Sequence, residues 1–188
     1  MPSDRETAFA VWLTGLPASG KSTVARALSA ELAGKGIRAA VLESDAVRRE
    51  ITPNAGYGEA ERDAFYATLA YLARMLVLHG VPVIVDATAN RRTYRDRARA
   101  AIPRFLEAHV RCPLAVCQAR DSKGIYRRGA EGTAQNVPGV SAPYEPPLLP
   151  EVVVDGERDD PAVAARHIVS ALEKIGFLPR GPGDATET

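Results

Sequence analysis

The sequence predicts an α/β fold, a five-stranded parallel sheet with helices on both faces and a lid. Three observations predict it. Short apolar runs alternate with stretches of helical spacing along most of the 188 residues, the pattern of strand–helix–strand units. The first run, Ala8 to Leu13, is apolar throughout rather than at every second residue, as a strand covered on both faces requires. Between the first run and the first helical stretch lie Gly15, Leu16, Pro17, Ala18, Ser19, Gly20, Lys21 and Ser22, which fit G-x-x-x-x-G-K-[ST] without mismatch.

Taken in order, Met1 to Thr7 reads as a short flexible lead and Ala8 to Thr14 as the first strand. Lys21 to Ala33 is the first helix, with Val24, Leu28 and Leu32 on one face and Gly34 and Gly36 past its end. Ile37 to Leu42 is the second strand, running into Glu43-Ser44-Asp45 and a short helix from Ala46 to Ile51. Thr52 to Gly58 is a loop, and Glu59 to His79 a long helix carrying Phe65, Leu69, Leu72 and Leu76 at helical spacing. Val81 to Val85 is the third strand, ending at Asp86. Arg91 to Ala101 is a basic helix, Phe105 to Val110 the fourth strand, and Pro113 to Arg120 a helix with proline in its first turn. Asp121 to Pro150 is rich in glycine, proline and charge, and is expected to be an irregular lid. Glu151 to Val154 is the fifth strand and Pro161 to Ile175 the last helix, with a disordered tail over residues 179–188. No repeat or linker interrupts the pattern, so residues 1–188 read as one domain.

Composition narrows the function. The formal net charge of +1 offers no basic field for nucleic acid. Cys112 and Cys117 lack the partners of a zinc site and read as free thiols of a reducing compartment. No run reaches membrane-spanning length and no apolar secretion signal opens the chain, so a soluble cytoplasmic protein is expected.

The chemistry concentrates at the carboxyl ends of the strands, where such sheets bind ligands. Gly15 and Gly20 let the backbone curl with its N–H groups inward, and the helix beginning at Lys21, Ser22 and Thr23 adds its positive end, so a triphosphate is held. Lys21 would reach the β- and γ-phosphates and the Ser22 hydroxyl would ligate Mg²⁺. Asp45, just past the second strand, can accept the proton of an attacking hydroxyl or hold a metal-bound water, or it can cap the helix that follows. Asp86 ends Val83-Ile84-Val85-Asp86, the pattern of a metal-binding carboxylate beside a phosphate loop. Arg48, Arg49, Arg62, Arg127 and Arg128 can clamp phosphates. The Arg91–Arg99 group reads mainly as a solvated helix face. Glycines at 124, 129, 132 and 139 would let the lid close and exclude water. A guanine-specific switch is disfavoured, since no Asn-Lys-x-Asp occurs.

Three longer motifs carry a resemblance. Trp12-Leu13-Thr14-Gly15-Leu16, Arg120-Asp121-Ser122-Lys123-Gly124-Ile125-Tyr126 and Pro143-Tyr144-Glu145-Pro146-Pro147 resemble the adenylyl-sulfate (APS) kinase family of P-loop kinases, in register from about Phe9 to Asp155. The resemblance implies ATP with Mg²⁺ as donor and the ribose 3′-hydroxyl of adenosine 5′-phosphosulfate as acceptor, giving PAPS. It also implies that Arg120 and Lys123 sit over ATP, that Arg48 and Arg62 hold the acceptor nucleotide, and that Tyr57 is one of two aromatics around its adenine. A homodimer is a further expectation.

The departures fall in the acceptor half. The family's asparagine in the substrate helix is Phe65, its second adenine aromatic is Val137, and its F-[IV]-S-P-Y segment is Ala87 to Arg91. Base–aromatic stacking is worth about 1–3 kcal/mol, so its loss at Val137 leaves open a different small-molecule alcohol as acceptor. Val85-Asp86-Ala87-Thr88-Ala89-Asn90 is similar to a segment of P-loop kinases that act on sugars, polynucleotide ends and other alcohols.

Overall fold

The fold is taken from a computed structural model, which describes residues 8–53 and 58–179. Its sheet has five parallel strands in the order β2-β3-β1-β4-β5. β1 (Ala10–Thr14) is the middle strand, flanked by β3 (Val83–Asp86) and β4 (Phe105–Arg111), with β2 (Ala40–Glu43) and β5 (Val152–Asp155) at the edges. β1 is buried along its whole length, which is why it reads as one apolar run.

Side-chain alternation along β1 divides the core. Val11 and Leu13 face a layer made by Val24, Leu28 and Leu32 of α1 (Lys21–Gly34) and Ile168 and Leu172 of α7 (Pro161–Lys174). Ala10 and Trp12 face the other layer, where Leu69 and Ala73 of α3 (Glu59–Leu78) meet Tyr94 and Ala98 of α4 (Arg92–Ala101). The helical spacing of these residues is the signal that predicted the helices.

Strands two and three start later than their apolar runs suggest. Ile37 N–H still bonds the Leu32 carbonyl at 2.9 Å, so the chain leaves α1 before it joins the sheet. The first rung is Ala40 N–H to Pro82 O at 2.8 Å, and Pro82 itself has no N–H to donate. α2 (Ser44–Ile51) begins directly at the end of β2.

The 121–150 segment is less irregular than expected. After α5 (Leu114–Ala119) it contains a further helix, α6 (Ile125–Ala130). Asp121 supplies the missing start signal: its carboxylate accepts from the N–H groups of Ile125 at 2.7 Å and Arg127 at 3.0 Å. A third apolar cluster, Cys112, Cys117, Tyr126 and Val137, joins this segment to Leu16 and Ala18. Both thiols are free and buried, and burial beside Cys112 pushes the Cys117 thiol up to about 12, so it is inert as a nucleophile.

The expected lead, the tail beyond residue 179 and Tyr57 lie outside the described residues. Among the described residues no helix is long and apolar enough to cross a membrane.

Candidate active site

Register brings the chemistry to one sheet edge. Leu13 pairs with Asp86 and Asp86 with Glu43, so the exits of β1, β3 and β2 lie side by side. The glycine loop leaves β1 there and enters α1, of which Lys21 and Ser22 are the first residues. The loop is tightly seated. A Cβ on Gly15 would lie 2.4 Å from the Val110 carbonyl oxygen, and one on Gly156 would lie 2.1 Å from the Ser19 carbonyl oxygen. The turn after β5 therefore presses on the phosphate loop, a role for Gly156 that no motif announced.

Lys21 folds back over this loop. Its Nζ donates to the carbonyls of Gly15 at 3.1 Å and Leu16 at 2.8 Å. Burial holds its pKa below the ordinary lysine value, and the charges of Asp86 and Asp45 oppose that shift. Ser22 and Thr23 are exposed at the helix start, whereas Ser19 is buried with no partner for its hydroxyl.

Asp45 is not the cap of α2. Glu43 occupies that position, and the Asp45 carboxylate instead accepts from Lys123 Nζ at 2.8 Å. This contact ties the 121–150 segment to the candidate base. Both side chains are more than half exposed, so the pair is worth about 0–1 kcal/mol and yields readily to a ligand. The hydrogen bond to Asp45 holds the Lys123 ammonium above its ordinary value. Arg120 donates to the carbonyls of Gly156 at 2.6 Å and Glu157 at 3.4 Å, beside the loop. Tyr126 of α6 donates to the Pro17 carbonyl at 2.9 Å.

Where the acceptor is expected, Arg62 donates to Asn90 Oδ1 at 3.3 Å and to the Asn136 carbonyl. Arg48 lies over the Phe65 ring, 3.8 Å from its centroid. Phe65 itself is 2% exposed and packs edge-on to Tyr66. Val137 is 4% exposed and turned into the Cys117–Tyr126 cluster, against Gly129. These placements bring Lys21, Ser22, Asp45, Asp86 and Lys123 to one edge, with Arg62 held against the 121–150 segment and Val137 inside that segment's own core.

Sequence reasoning missed how the segment is fastened. Arg95, read as part of a solvated face, is 1% exposed. It pairs with Glu107 of β4 at 2.7 Å and donates to the Ala89 carbonyl and, at 2.6 Å, to the Glu145 carbonyl. Arg99 joins the same network through Glu107 at 3.2 Å and Glu151 at 2.6 Å. Arg91 and Arg97 do behave as surface residues, paired with Glu59 and Asp63. Glu145 also accepts from the first N–H of α4, at Arg92, 2.8 Å away. Thr14 donates to the Thr88 carbonyl at 2.8 Å, which leaves Tyr144 to donate to the Thr14 hydroxyl at 3.2 Å.

His109 of β4 stands beside Tyr144, with ring centroids 6.2 Å apart. Burial, reinforced by Arg95 and Arg111, lowers its pKa from 6.5 to about 4. A depressed histidine is neutral in the folded state while the unfolded chain takes up a proton, so its contribution is present above pH 6.5 and lost as pH falls towards 4. Urea midpoints measured across that window should fall with pH, and His109→Gln should flatten the slope.

A glycine-rich loop entering a helix beside strand-end carboxylates, with a further segment fastened to that edge, is the working arrangement of P-loop kinases. Comparison with known proteins narrows the class. The family model for adenylylsulphate kinase matches residues 7–155. An adenylyl-sulfate kinase from Gloeothece citriformis is 35% identical over 174 residues, covering 93% of this chain and 99% of its own. A probable bifunctional SAT/APS kinase 2 from Sorangium cellulosum is 36% identical over 172 residues, but this chain spans only 30% of its length. The solved Mycobacterium tuberculosis APS kinase CysC, in complex with AMPPNP and APS, superposes with a TM-score of 0.84 at 31% identity, covering 89% of this chain and 98% of that one. The chain belongs to the adenylylsulphate kinase family.

Proposed function

We propose that the protein is an adenylyl-sulfate kinase, which transfers the γ-phosphoryl of ATP to the 3′-hydroxyl of adenosine 5′-phosphosulfate to give PAPS. The observation that carries the reading is the Asp45–Lys123 contact across the phosphate-loop edge, which joins a base to the segment that covers it. Family membership supplies the acceptor.

The residues fit both ligands. Lys21 and the first N–H groups of α1 suit the triphosphate. The Ser22 hydroxyl and the buried Asp86 carboxylate are hard oxygen donors that suit Mg²⁺. When bound, the cation neutralises charge on the β- and γ-phosphates. Asp45 accepts the proton of the attacking hydroxyl, freed for that role when Lys123 turns from it to the nucleotide. Arg48 and Arg62 hold the acceptor's anionic end, and Arg120 and Lys123 flank ATP. The 121–150 segment excludes water, so that the phosphoryl passes to the hydroxyl and not to solvent. Tyr57, Phe65 and Val137 complete the acceptor site in this reading: Phe65 acts by supporting Arg48, and Val137 by packing the segment.

Val137 turned into the segment favours one competing reading, a different small-molecule alcohol as acceptor. Coupled ADP release with a panel of acceptors separates the two. APS should outpace sugars, nucleosides and other alcohols, and Asp45→Ala should abolish the APS-dependent rate. A faster alcohol, or no APS-dependent turnover, overturns the proposal. The assembly is proposed to be a homodimer in the cytoplasm, testable by sedimentation and by fractionation.

A further inference from the structure

We propose that Asn90 is a positioning residue for the acceptor: it sets the aim of Arg62 and couples that arginine to the Pro143–Glu145 stretch. The inference rests on the reading of Arg62 as a contact to the acceptor's anionic end. Asn90 is 4% exposed and uses both ends of its amide. Its Oδ1 accepts from Arg62 Nη1 at 3.3 Å, and its Nδ2 donates to the Pro143 carbonyl at 3.0 Å. A guanidinium only donates and a carbonyl only accepts, so the amide can sit only one way round. The Asn90 backbone carbonyl accepts from Glu145 N–H at 2.8 Å, which fixes the residue from a third side.

Two of the groups that hold Arg62 are neutral oxygens, those of Asn90 and of the Asn136 backbone. Neutral acceptors orient a guanidinium without cancelling its charge, which is what an anion site needs. Both oxygens belong to parts that meet around a groove whose lining includes Arg62, Asn90, Asn136 and Pro143, with Glu59 at its wall neutralised by Arg91. An anion gripped by Arg62 therefore also steadies the two ends of the 136–143 stretch. Leucine supplies neither the acceptor for Arg62 nor the donor for Pro143, and aspartate supplies only the acceptor.

The test is steady-state kinetics of the full chain with ATP and APS varied separately. Asn90→Leu keeps the branching of the side chain and removes both hydrogen bonds; bonds to charged groups of this kind correspond to about a tenfold or larger change. The KM for APS should rise about tenfold with the KM for ATP little changed, read on protein that thermal melts show to be folded. In an Arg62→Ala background the same substitution should add little, because its effect passes through the arginine. An unchanged KM for APS, or effects of the two substitutions that simply add, overturns the inference. If Asn90→Leu does not fold, Asn90→Ala is read by the same criteria. Loss of APS turnover in the unaltered protein sinks the functional reading itself, and the inference with it. Normal turnover that ignores Asn90 sinks only the inference.

Discussion

Turnover of Lys21→Ala with MgATP and APS is expected to fall by about two to three orders of magnitude, the loss seen when one preorganised charge donor is taken from a transition state. The geometry explains why so much rests on one amine. Nζ is buried, 3.1 Å from the Gly15 carbonyl and 2.8 Å from that of Leu16. Its two present partners are neutral, and burial already disfavours its charged form, with Asp86 and Asp45 pulling the other way. A phosphate is a better partner than a carbonyl in such a place, and best when negative charge spreads over the transferring group. Single-turnover rates with thermal melts on the same samples check this. A stable variant with near-normal turnover would refute the role given to Lys21.

The second large effect is on stability. Glu107→Leu is expected to destabilise the fold by about 3–5 kcal/mol, because it strands the Arg95 guanidinium inside the protein without its carboxylate. The pair is 1% and 7% exposed at the side chains, so water cannot substitute. Arg95 also holds the Ala89 and Glu145 carbonyls, so the change loosens the 143–147 stretch as well as the core. Urea denaturation gives the size of the effect. Adding Arg95→Met should recover part of the loss, since a well-packed apolar pair can match a buried ion pair. If Glu107→Leu alone costs no more than a surface substitution, the pair is not what fastens this corner.

Much of the molecule is legible in its amino-acid sequence. The glycine loop, the strands that flank it and Asp86 at a strand end are local patterns, and each stands where its neighbours in sequence put it. Arg95 is different. In the sequence it is one arginine among five on a basic helix, and only the approach of β4 and Glu145 distinguishes it from Arg91 and Arg97. Asn90 and Gly156 are hidden for the same reason, since their partners lie 53 residues away at Pro143 and more than a hundred away at Ser19. α6 escaped because six residues carry too little periodicity, although Asp121 four residues ahead of Ile125 was a usable start signal. Val137, which by resemblance falls where the family has an aromatic, packs with Cys112, Cys117 and Tyr126, partners that no local pattern names.

The contact between Gly156 and the phosphate loop also sets an order of events. The loop leaves the ribosome more than a hundred residues before the turn after β5 that it leans on, and α1 is covered by the later α7. Contacts between such distant parts form late, after their loops have closed. A nascent chain thus carries the complete nucleotide-binding motif long before it has a nucleotide-binding site, and the turn at Gly156 completes the cradle that Gly15 to Ser22 began.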